Sequence, residues 1–286
     1  MDRRSFVKSA SATAGLALLA PLGFKIAPHS TKKYISDKVT LGNTGITVSR
    51  LAIGTGTNGV GRSSNQTRKL GVGGLSDLLK AAYDKGVFFW DSADQYGTHP
   101  HLKEALKSVP REKVVILTKT HASSAQEMKD DLDRFRKELG TDYLDIVLLH
   151  CMVNKNWPDQ KKGAMNILSQ AREQKIIRAH GVSCHTLDAL QSAAASPWVQ
   201  IDLARMNPAG VSMDAAVPTV TGVLKQMKQA GKVIMGMKVF GDGRLVNRVD
   251  ECLKYALAQD YISCFTIGIE SHDQLNDLEK RLPAVS

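Results

Sequence analysis

Short apolar runs alternate with longer amphipathic segments from Leu51 almost to the C-terminus. Eight of these runs are rich in β-branched or other apolar residues, and they cover residues 51–55, 87–90, 114–118, 145–149, 176–182, 201–206, 232–238 and 264–268. Stretches with helical spacing lie between them, at residues 76–85, 125–139, 164–174, 215–230 and 249–258. Runs that are apolar throughout are typical of parallel strands covered on both faces. The pattern therefore predicts an α/β structure with a parallel sheet.

The number of strand–helix units favours a closed barrel over an open sheet. Eight units within ~230 residues are typical of a (β/α)₈, or TIM, barrel. An open dinucleotide-binding sheet would carry a G-x-G-x-x-G loop leading into a helix, and the glycine-rich segment 54–59 lacks that spacing. Residues 39–50 have the pattern of a β-hairpin with its turn at 43–45. We expect a barrel over residues 39–286, with this N-terminal hairpin closing its bottom.

The first 27 residues have the pattern of an export signal. Arg3 and Arg4 are followed by Phe6, Lys8 and a weakly apolar stretch that is too short to span a bilayer as an ordinary helix. This arrangement resembles a twin-arginine signal, which addresses folded proteins for export. We therefore predict export, to the periplasm, through the twin-arginine machinery, with a polar linker over residues 28–38. An uncleaved amphipathic anchor is the alternative, and no Ala-x-Ala motif marks a cleavage site.

Charge and cysteine usage exclude several classes of function. The formal net charge is +10, but residues 1–33 carry +5 of it. The remaining charge suits an anionic cofactor, and no basic stripe with interleaved aromatic residues indicates nucleic-acid binding. The four cysteines, none in C-x-x-C spacing, predict neither a metal site nor a disulfide framework, and Cys252 and Cys264 fall in apolar patterns typical of a core. The pattern does not indicate an oligomeric state.

Four polar residues fall near the ends of consecutive predicted strands. Asp91 follows the second run, Tyr96 lies in the loop after it, Lys119 follows the third run, and His150 closes the fourth. In such barrels the side chains at the C-terminal ends of the strands surround the mouth, where catalysis takes place. Each residue alone has an ordinary explanation: a helix cap, a tyrosine in a loop, a solvated lysine, a hydrogen-bonded structural histidine. Their joint occurrence favours a shared catalytic site.

The segments that carry these residues resemble the successive motifs of the aldo-keto reductase superfamily. They are DSADQYG (91–97), ILTKT (116–120), LGTDYLDIVLLH (139–150) and RAHGVS (178–183), and LGNTGITVSRLAIGTG (41–56) is similar to the N-terminal signature. The resemblance extends over residues 39–280. It implies an NAD(P)-dependent oxidoreductase that reduces an aldehyde or ketone, or oxidises the alcohol, with small-molecule substrates.

The resemblance also implies a role for each of the four residues. Tyr96 would be the general acid/base, and the Lys119 ammonium, held by Asp91, would lower the pKa of its phenol. His150 would donate a hydrogen bond to the substrate carbonyl. The hydride would come from the nicotinamide cofactor.

The nicotinamide contacts of the family are only partly present. The Ser-Asn pair that holds the carboxamide is Ser183-Cys184 in this sequence, so the serine is kept and the amide is lost. Met206 stands at the position of the aromatic residue that stacks on the nicotinamide ring, and core packing is the alternative role for Met206. A nicotinamide-binding sensory or regulatory barrel with weak or vestigial turnover therefore remains open. Lyase chemistry through a Lys119 Schiff base is a third alternative.

The last two strand ends would hold the rest of the cofactor. Lys238 and Gly241 would meet the pyrophosphate, because lysine adds charge and glycine permits close approach of the backbone. Gly268 ends the eighth run and Glu270 follows it, where many members of the family grip the 2′-phosphate of NADP with a basic residue. A carboxylate there favours NAD over NADP. Glu270 could equally face solvent or belong to the first turn of the last helix.

Overall fold

The computed structural model describes residues 32–286, and the segment interpreted as an export signal, residues 1–27, lies outside the described residues. The strands are β1 (Lys38–Thr40), β2 (Thr47–Ser49), β3 (Leu51–Gly54), β4 (Phe89–Asp91), β5 (Val115–Thr120), β6 (Leu144–Met152), β7 (Ile177–Cys184), β8 (Ile201–Arg205), β9 (Val233–Met237) and β10 (Cys264–Gly268). The α-helices are α1 (Asn65–Asp84), α2 (His99–Ala105), α3 (Ala125–Leu139), α4 (Trp157–Gln160), α5 (Lys162–Glu173), α6 (Leu187–Ala195), α7 (Val217–Gln229), α8 (Val249–Ala258) and α9 (His272–Val285).

Strands β3 to β10 form a closed parallel barrel in which each strand pairs with the next along the chain. The barrel closes where β10 pairs with β3, with Gly268 opposite Gly54. Each of the eight apolar runs overlaps one of these strands, and the predicted helices over residues 125–139 and 249–258 coincide with α3 and α8. The predicted (β/α)₈ barrel is therefore confirmed. Within residues 32–286, no helix has the combination of length and apolarity that a membrane span requires.

Helix α1 begins well before the first residue of the helix predicted at 76–85. Ser64 caps it: the Ser64 side chain accepts a hydrogen bond from the Thr67 N–H, and the Thr67 hydroxyl bonds back to the Ser64 backbone. Gly71, at φ +60°, then interrupts the helical geometry. The polar first half of α1 lacks the apolar periodicity that identified the second half, because this half lies above the barrel mouth.

The hairpin of β1 and β2 closes the N-terminal end of the barrel, as predicted. Its strands pair antiparallel, with Val39 opposite Val48, and the turn between them ends at Gly45 with φ +70°. Leu41, Ile46 and Val48 are buried and join the cluster of apolar side chains that fills the barrel interior. A second, larger cluster lies between the strands and the surrounding helices. Both faces of the parallel sheet are thus covered.

The segment predicted as a linker, residues 28–38, is not free of the barrel in its described part. Ile35 is buried in the outer cluster, and its carbonyl accepts a hydrogen bond of 3.1 Å from the backbone N–H of Leu51. Asp37 forms an ion pair with Arg50, with 3.1 Å between Oδ2 and Nε, and Lys38 already belongs to β1. Local sequence patterns do not predict these contacts, because each joins a polar segment to a residue more than ten positions away. Cys252 and Cys264 are buried, which confirms the prediction that they are core thiols.

Candidate active site

A buried ion pair lies at the C-terminal end of β4 and β5. Lys119 is only 1% exposed, and its ammonium contacts the carboxylate of Asp91 and donates a 2.7 Å hydrogen bond to the carbonyl of Ser92. Burial by itself would lower the pKa of Lys119, but Asp91 and then Tyr96 outweigh it and raise the pKa above the usual value for lysine. The barrel therefore holds a fixed positive charge at this position.

Tyr96 lies against this charge, on the short 3₁₀ turn Asp94–Tyr96 that follows β4. The centroid of its ring is 4.8 Å from Nζ of Lys119 and 5.7 Å from the ring centroid of His150, to which it is nearly perpendicular. Burial raises the pKa of Tyr96 more than Lys119 lowers it, so the net direction is upward. This is opposite to the direction expected from the sequence, because desolvation outweighs the neighbouring ammonium. Tyr96 is thus a neutral phenol near neutral pH.

The glycine-rich loop between β3 and α1 covers the Tyr96 ring. A Cβ atom added at Gly56 would lie 2.2 Å from the ring, and one at Gly59 would lie 2.3 Å from it. Only glycine at these two positions lets the backbone rest on the aromatic face. Arg62, later in this loop, forms ion pairs with Asp94 at 2.9 Å and with Glu138 at 2.7 Å. Gly56 and Gly59, whose spacing does not match the dinucleotide-binding motif, therefore serve to enclose the ring of Tyr96.

His150 completes the group at the end of β6. It is 4% exposed, and among residues 32–286 its Nδ1 has no hydrogen-bond partner. Burial first, and Lys119 second, hold the pKa of His150 well below its usual value, so the ring is neutral. His121, an exposed residue just beyond β5, stacks on it with 4.9 Å between ring centroids. His121 was not predicted from the sequence, although it stands directly after a strand end and the predicted site residues also lie at or near strand ends.

The structure thus brings the four predicted residues Asp91, Tyr96, Lys119 and His150 to one edge of the barrel. The sequence profile of the Aldo/keto reductase family matches residues 51–256, which is most of the barrel. The chain belongs to this family. All four residues lie within the matched region.

Individual aldo-keto reductases are similar to the chain over different lengths. A D-threo-aldose 1-dehydrogenase of Pseudomonas sp. is 25% identical over 227 residues, which are 68% of this chain and 67% of that protein. An aldo-keto reductase of Alternaria alternata is 28% identical over 159 residues, covering 41% of this chain and 42% of its own length. The chain therefore spans about two fifths of the length of this Alternaria relative.

Solved structures of the family share the fold. A Pseudomonas aeruginosa protein assigned to the aldo-keto reductases superposes with a TM-score of 0.72 at 21% identity, covering 88% of this chain and 98% of that one. An aldo-keto reductase of Bacillus halodurans gives a TM-score of 0.69 at 16% identity, covering 86% of this chain and 90% of that one. At these identities the likeness concerns the barrel and not the chemistry.

Two of the predicted nicotinamide contacts in this aldo-keto reductase are buried. Ser183 is inaccessible, and its hydroxyl accepts a 2.9 Å hydrogen bond from the backbone N–H of Cys151. Met206 is 1% exposed and belongs to the cluster between strands and helices, where a Cβ atom on Gly236 would come within 2.6 Å of its sulfur. The structure therefore favours core packing for Met206, because its side chain lies outside the barrel wall.

Lys238, Gly241 and Gly268, which were predicted to contact the cofactor, differ in how far a ligand could reach them. Lys238 has φ +54° and a half-buried side chain whose Nζ lies 3.0 Å from the carboxylate of Asp242. Gly241, at φ +56°, turns the chain beside Val211. A Cβ atom on Gly268 would lie 2.2 Å from the hydroxyl of Thr57, so this glycine makes room for the protein itself. Lys238 is the one of these three that offers a charged group to a ligand.

Glu270 faces helix α1. This contact was not among the roles considered from the sequence, which were a cofactor contact, exposure to solvent and a place in the first turn of the last helix. The carboxylate of Glu270 accepts a 2.8 Å hydrogen bond from Asn65 and forms an ion pair with Lys69. Burial alone would raise the pKa of Glu270, but Lys69 and Asn65 outweigh burial and lower the pKa. Glu270 therefore keeps its negative charge, with an exposed ammonium beside it.

A group of polar residues on the opposite side of the mouth was not predicted from the sequence either. Arg205 ends β8 and forms an ion pair with the buried carboxylate of Asp214, with 2.8 Å between Nε and Oδ1. Near it, the thiol of Cys151 lies 3.1 Å from Nδ1 of His185. Since Ile201 and Leu203 point into the barrel, alternation along β8 could have identified Arg205 rather than Met206 as the residue facing the mouth.

The residue that replaces the family asparagine, Cys184, lies on the helix-facing side of the wall beside Asp202. Asp202 is fully buried, and neither of its oxygens has a hydrogen-bond partner in the described part of the chain. Burial, and to a smaller extent Asp214, raise the pKa of Asp202 to about 8. A protonated carboxyl in this apolar layer costs less free energy than a carboxylate would.

Asp202→Asn should therefore stabilise the protein in a pH-dependent way. A carboxyl whose pKa is raised on folding contributes stability below about pH 4 and loses it as the pH rises through about 8, at up to ~1.4 kcal/mol per pH unit. We expect the variant and the wild type to have similar free energies of unfolding near pH 4. Near pH 8 we expect the variant to be more stable by about 2–5 kcal/mol in urea titrations.

The matched control is Asp133→Asn, which removes a carboxyl whose side chain is 75% exposed. Its effect on the free energy of unfolding should stay within about 0.5 kcal/mol at both pH values. A difference between wild type and Asp202→Asn that is the same at both pH values would contradict the assignment of a raised pKa.

Proposed function

We propose that this protein is a nicotinamide-dependent oxidoreductase that reduces an aldehyde or ketone, or oxidises the corresponding alcohol. The observation that carries the proposal is the position of Tyr96 between a fixed ammonium, Lys119, and a neutral imidazole, His150. A carbonyl oxygen at this place would meet a proton donor, and the charge left behind would be stabilised. Membership of the aldo/keto reductase family supports the same reaction class.

Each of the four side chains then has a defined task. Bound NAD(P)H supplies the hydride. Tyr96, which is protonated at neutral pH, donates its hydroxyl proton to the substrate oxygen, and the ammonium of Lys119 stabilises the phenolate that remains. Asp91 keeps this ammonium charged and in place. Neutral His150 donates a hydrogen bond to the same oxygen and so sets the orientation of the carbonyl. In the oxidative direction the phenolate accepts the proton of the alcohol.

The C-terminal edge of the barrel fits a dinucleotide in two respects. Lys238 places an ammonium at the end of β9, and helix α9 begins directly after β10 with Ser271 as its cap, so that the positive end of a helix lies at the same edge. Both features favour a diphosphate. Ser183 and Met206 would contribute little direct contact because both are buried.

We propose that the protein prefers NAD over NADP because of Glu270. Its lowered pKa keeps a full negative charge after β10, where the 2′-phosphate of NADP would approach. The carboxylate would repel that phosphate and accept a hydrogen bond from a ribose hydroxyl instead. Lys69 offsets part of the repulsion, so the expected preference is modest.

We also propose that the protein is exported through the twin-arginine pathway, on the pattern of Arg3, Arg4, Phe6 and Lys8. Because that pathway carries folded chains, the barrel would travel with its nucleotide bound. Conversion of both arginines to lysine should leave the protein in the cytoplasmic fraction, as measured by immunoblotting after cell fractionation. An unchanged distribution between fractions would contradict the proposal, and conversion of Lys32 and Lys33 to arginine serves as the control.

Tyr96→Phe should lower kcat for carbonyl reduction by about 10²–10⁴-fold, the range typical for loss of a general acid. Nicotinamide absorbance with a panel of aldehydes and ketones measures the rate, and cofactor binding by fluorescence should be unchanged. Tyr143→Phe is the matched control, because Tyr143 is a half-buried tyrosine at the opposite end of β6. Cofactor binding with equal slow turnover in wild type and Tyr96→Phe would favour the sensory alternative, and a chain that binds no nicotinamide would refute the proposal.

Glu270→Gln should raise the affinity for NADPH relative to NADH by about five- to tenfold. The change removes a negative charge and releases Lys69 towards the phosphate, which corresponds to roughly 1 kcal/mol at a partly exposed site. Calorimetric titration of both reduced cofactors measures the ratio. Glu279→Gln removes another carboxylate paired with a lysine, Lys85, and should leave the ratio unchanged. The same ratio in wild type and Glu270→Gln would show that Glu270 does not set the preference.

A further inference from the structure

Cys151 differs from the other three cysteines in its accessibility. Cys184, Cys252 and Cys264 are at most 1% exposed, whereas Cys151 is partly exposed at the end of β6, next to His150. A thiol must be accessible to react with a ligand from solution. Among the four cysteines, only Cys151 meets this condition.

The backbone of Cys151 turns its side chain out of the regular alternation of β6. Ile146 and Leu148 point into the barrel, so alternation would direct residue 151 towards the helices. Instead, the register with β7 shifts between Leu149 and Met152, and Cys151 has φ +61°. A left-handed conformation is strained for a non-glycine residue, and such residues are concentrated at functional sites. The hydrogen bond from its N–H to Ser183 holds this conformation.

His185 provides a base for this thiol. Its Nδ1 lies 3.1 Å from Sγ of Cys151, and its backbone N–H donates a 2.8 Å hydrogen bond to the carbonyl of Met152, which fixes the two loops together. Burial first, then Arg205 and Lys238, lower the pKa of His185 to about 4, and burial raises the pKa of Cys151. Thiol and imidazole are both neutral near pH 7, so the thiol donates to Nδ1.

The charged groups around this pair come from three other strands and the loops that follow them. They are Lys119 of β5, Arg205 of β8 with its partner Asp214, and Lys238 after β9 with its partner Asp242. Two of the three cations are held by carboxylates on their own loops, and Lys119 is held by Asp91. None of these carboxylates contacts the imidazole of His185, so Nδ1 is left to interact with the thiol.

We propose that Cys151 and His185 form a second reactive site at the barrel mouth, which adds covalently to α,β-unsaturated aldehydes and ketones. Sγ forms a bond to the β-carbon while the carbon–carbon double bond opens. The thiol proton passes to Nδ1 of His185, and the imidazolium returns a proton to the α-carbon. The product is a saturated carbonyl compound attached to Cys151 through a thioether. No electrons are gained or lost overall, so the step requires no oxidant or cofactor.

The choice of a conjugated carbonyl follows from the neighbour of Cys151 in the chain. A carbonyl oxygen hydrogen-bonded by His150 and Tyr96 would draw electron density from a conjugated double bond and make its β-carbon more electrophilic. The thiol of the next residue would then face an activated carbon. This selectivity for carbonyl compounds rests on the proposed function, whereas the addition itself needs no nicotinamide.

Crotonaldehyde, added to the full chain without nicotinamide, tests the proposal. Intact mass spectrometry and peptide mapping should find one adduct, at Cys151, and butanal, its saturated counterpart, should leave no stable adduct. Because the neutral thiol–imidazole pair persists across this range, the rate should change less than about twofold between about pH 6 and pH 8. A thiol without a base would slow about tenfold for each pH unit as its thiolate fraction falls.

His185→Asn should convert the flat profile into one that falls about tenfold for each unit of decreasing pH. His272→Asn, at an exposed histidine that begins α9, should keep the wild-type profile. Adducts on other cysteines, no adduct, or a wild-type rate that falls about tenfold for each pH unit would overturn the proposal, and these outcomes need no variant to fold. If the wild type formed the Cys151 adduct at a rate independent of pH but showed no hydride transfer, only the proposed function would be contradicted.

Discussion

The ion pair of Lys119 and Asp91 is the interaction on which the rest of the site depends. A buried ammonium is tolerated only with a partner and further hydrogen bonds, and Asp91 together with the Ser92 carbonyl provides both. The closed barrel supplies the rigid frame, since β4 and β5 are adjacent strands whose ends lie side by side. The resulting fixed charge acts on both Tyr96 and His150: it opposes the rise in the pKa of the phenol, and it adds to burial, the larger cause, in lowering the pKa of the imidazole.

The position of Tyr96 depends on a different constraint, the close approach of backbone to an aromatic ring. Gly56 and Gly59 lie so near the ring that no side chain fits at either residue. Arg62 ties the same loop to the turn that carries Tyr96 through Asp94, and to α3 through Glu138. Glycine and arginine thus act together, because the first permits the contact and the second keeps the loop there. The loop between β3 and α1 thus completes a group of side chains that the strand ends position.

The barrel and the four central residues could be predicted because both depend on local patterns. Apolar runs mark the strands, and Asp91 or His150 stands where such a run ends. The contacts that were missed are long-range ones. The partner of Glu270 is Lys69, on a half-helix without apolar periodicity, and Cys151 leaves the alternation of β6 through a change in one φ angle. Neither a distant ion pair nor a left-handed residue leaves a trace in hydrophobic spacing. Arg205 is different, because the alternation of Ile201 and Leu203 along β8 already indicates that Arg205, and not Met206, faces the mouth.

The two halves of the mouth use histidine in the same protonation state for one shared reason. Burial lowers the pKa of His150 and of His185, and Lys119 and Lys238 lower both further. A neutral His150 can donate a hydrogen bond to a substrate oxygen without competing with Tyr96 as the acid. A neutral His185 can accept the proton of a thiol that is itself uncharged. The cations that suit a dinucleotide and a phenolate therefore also keep the imidazole beside Cys151 unprotonated, and the proposed hydride transfer and the proposed thiol addition would depend on the same electrostatic environment.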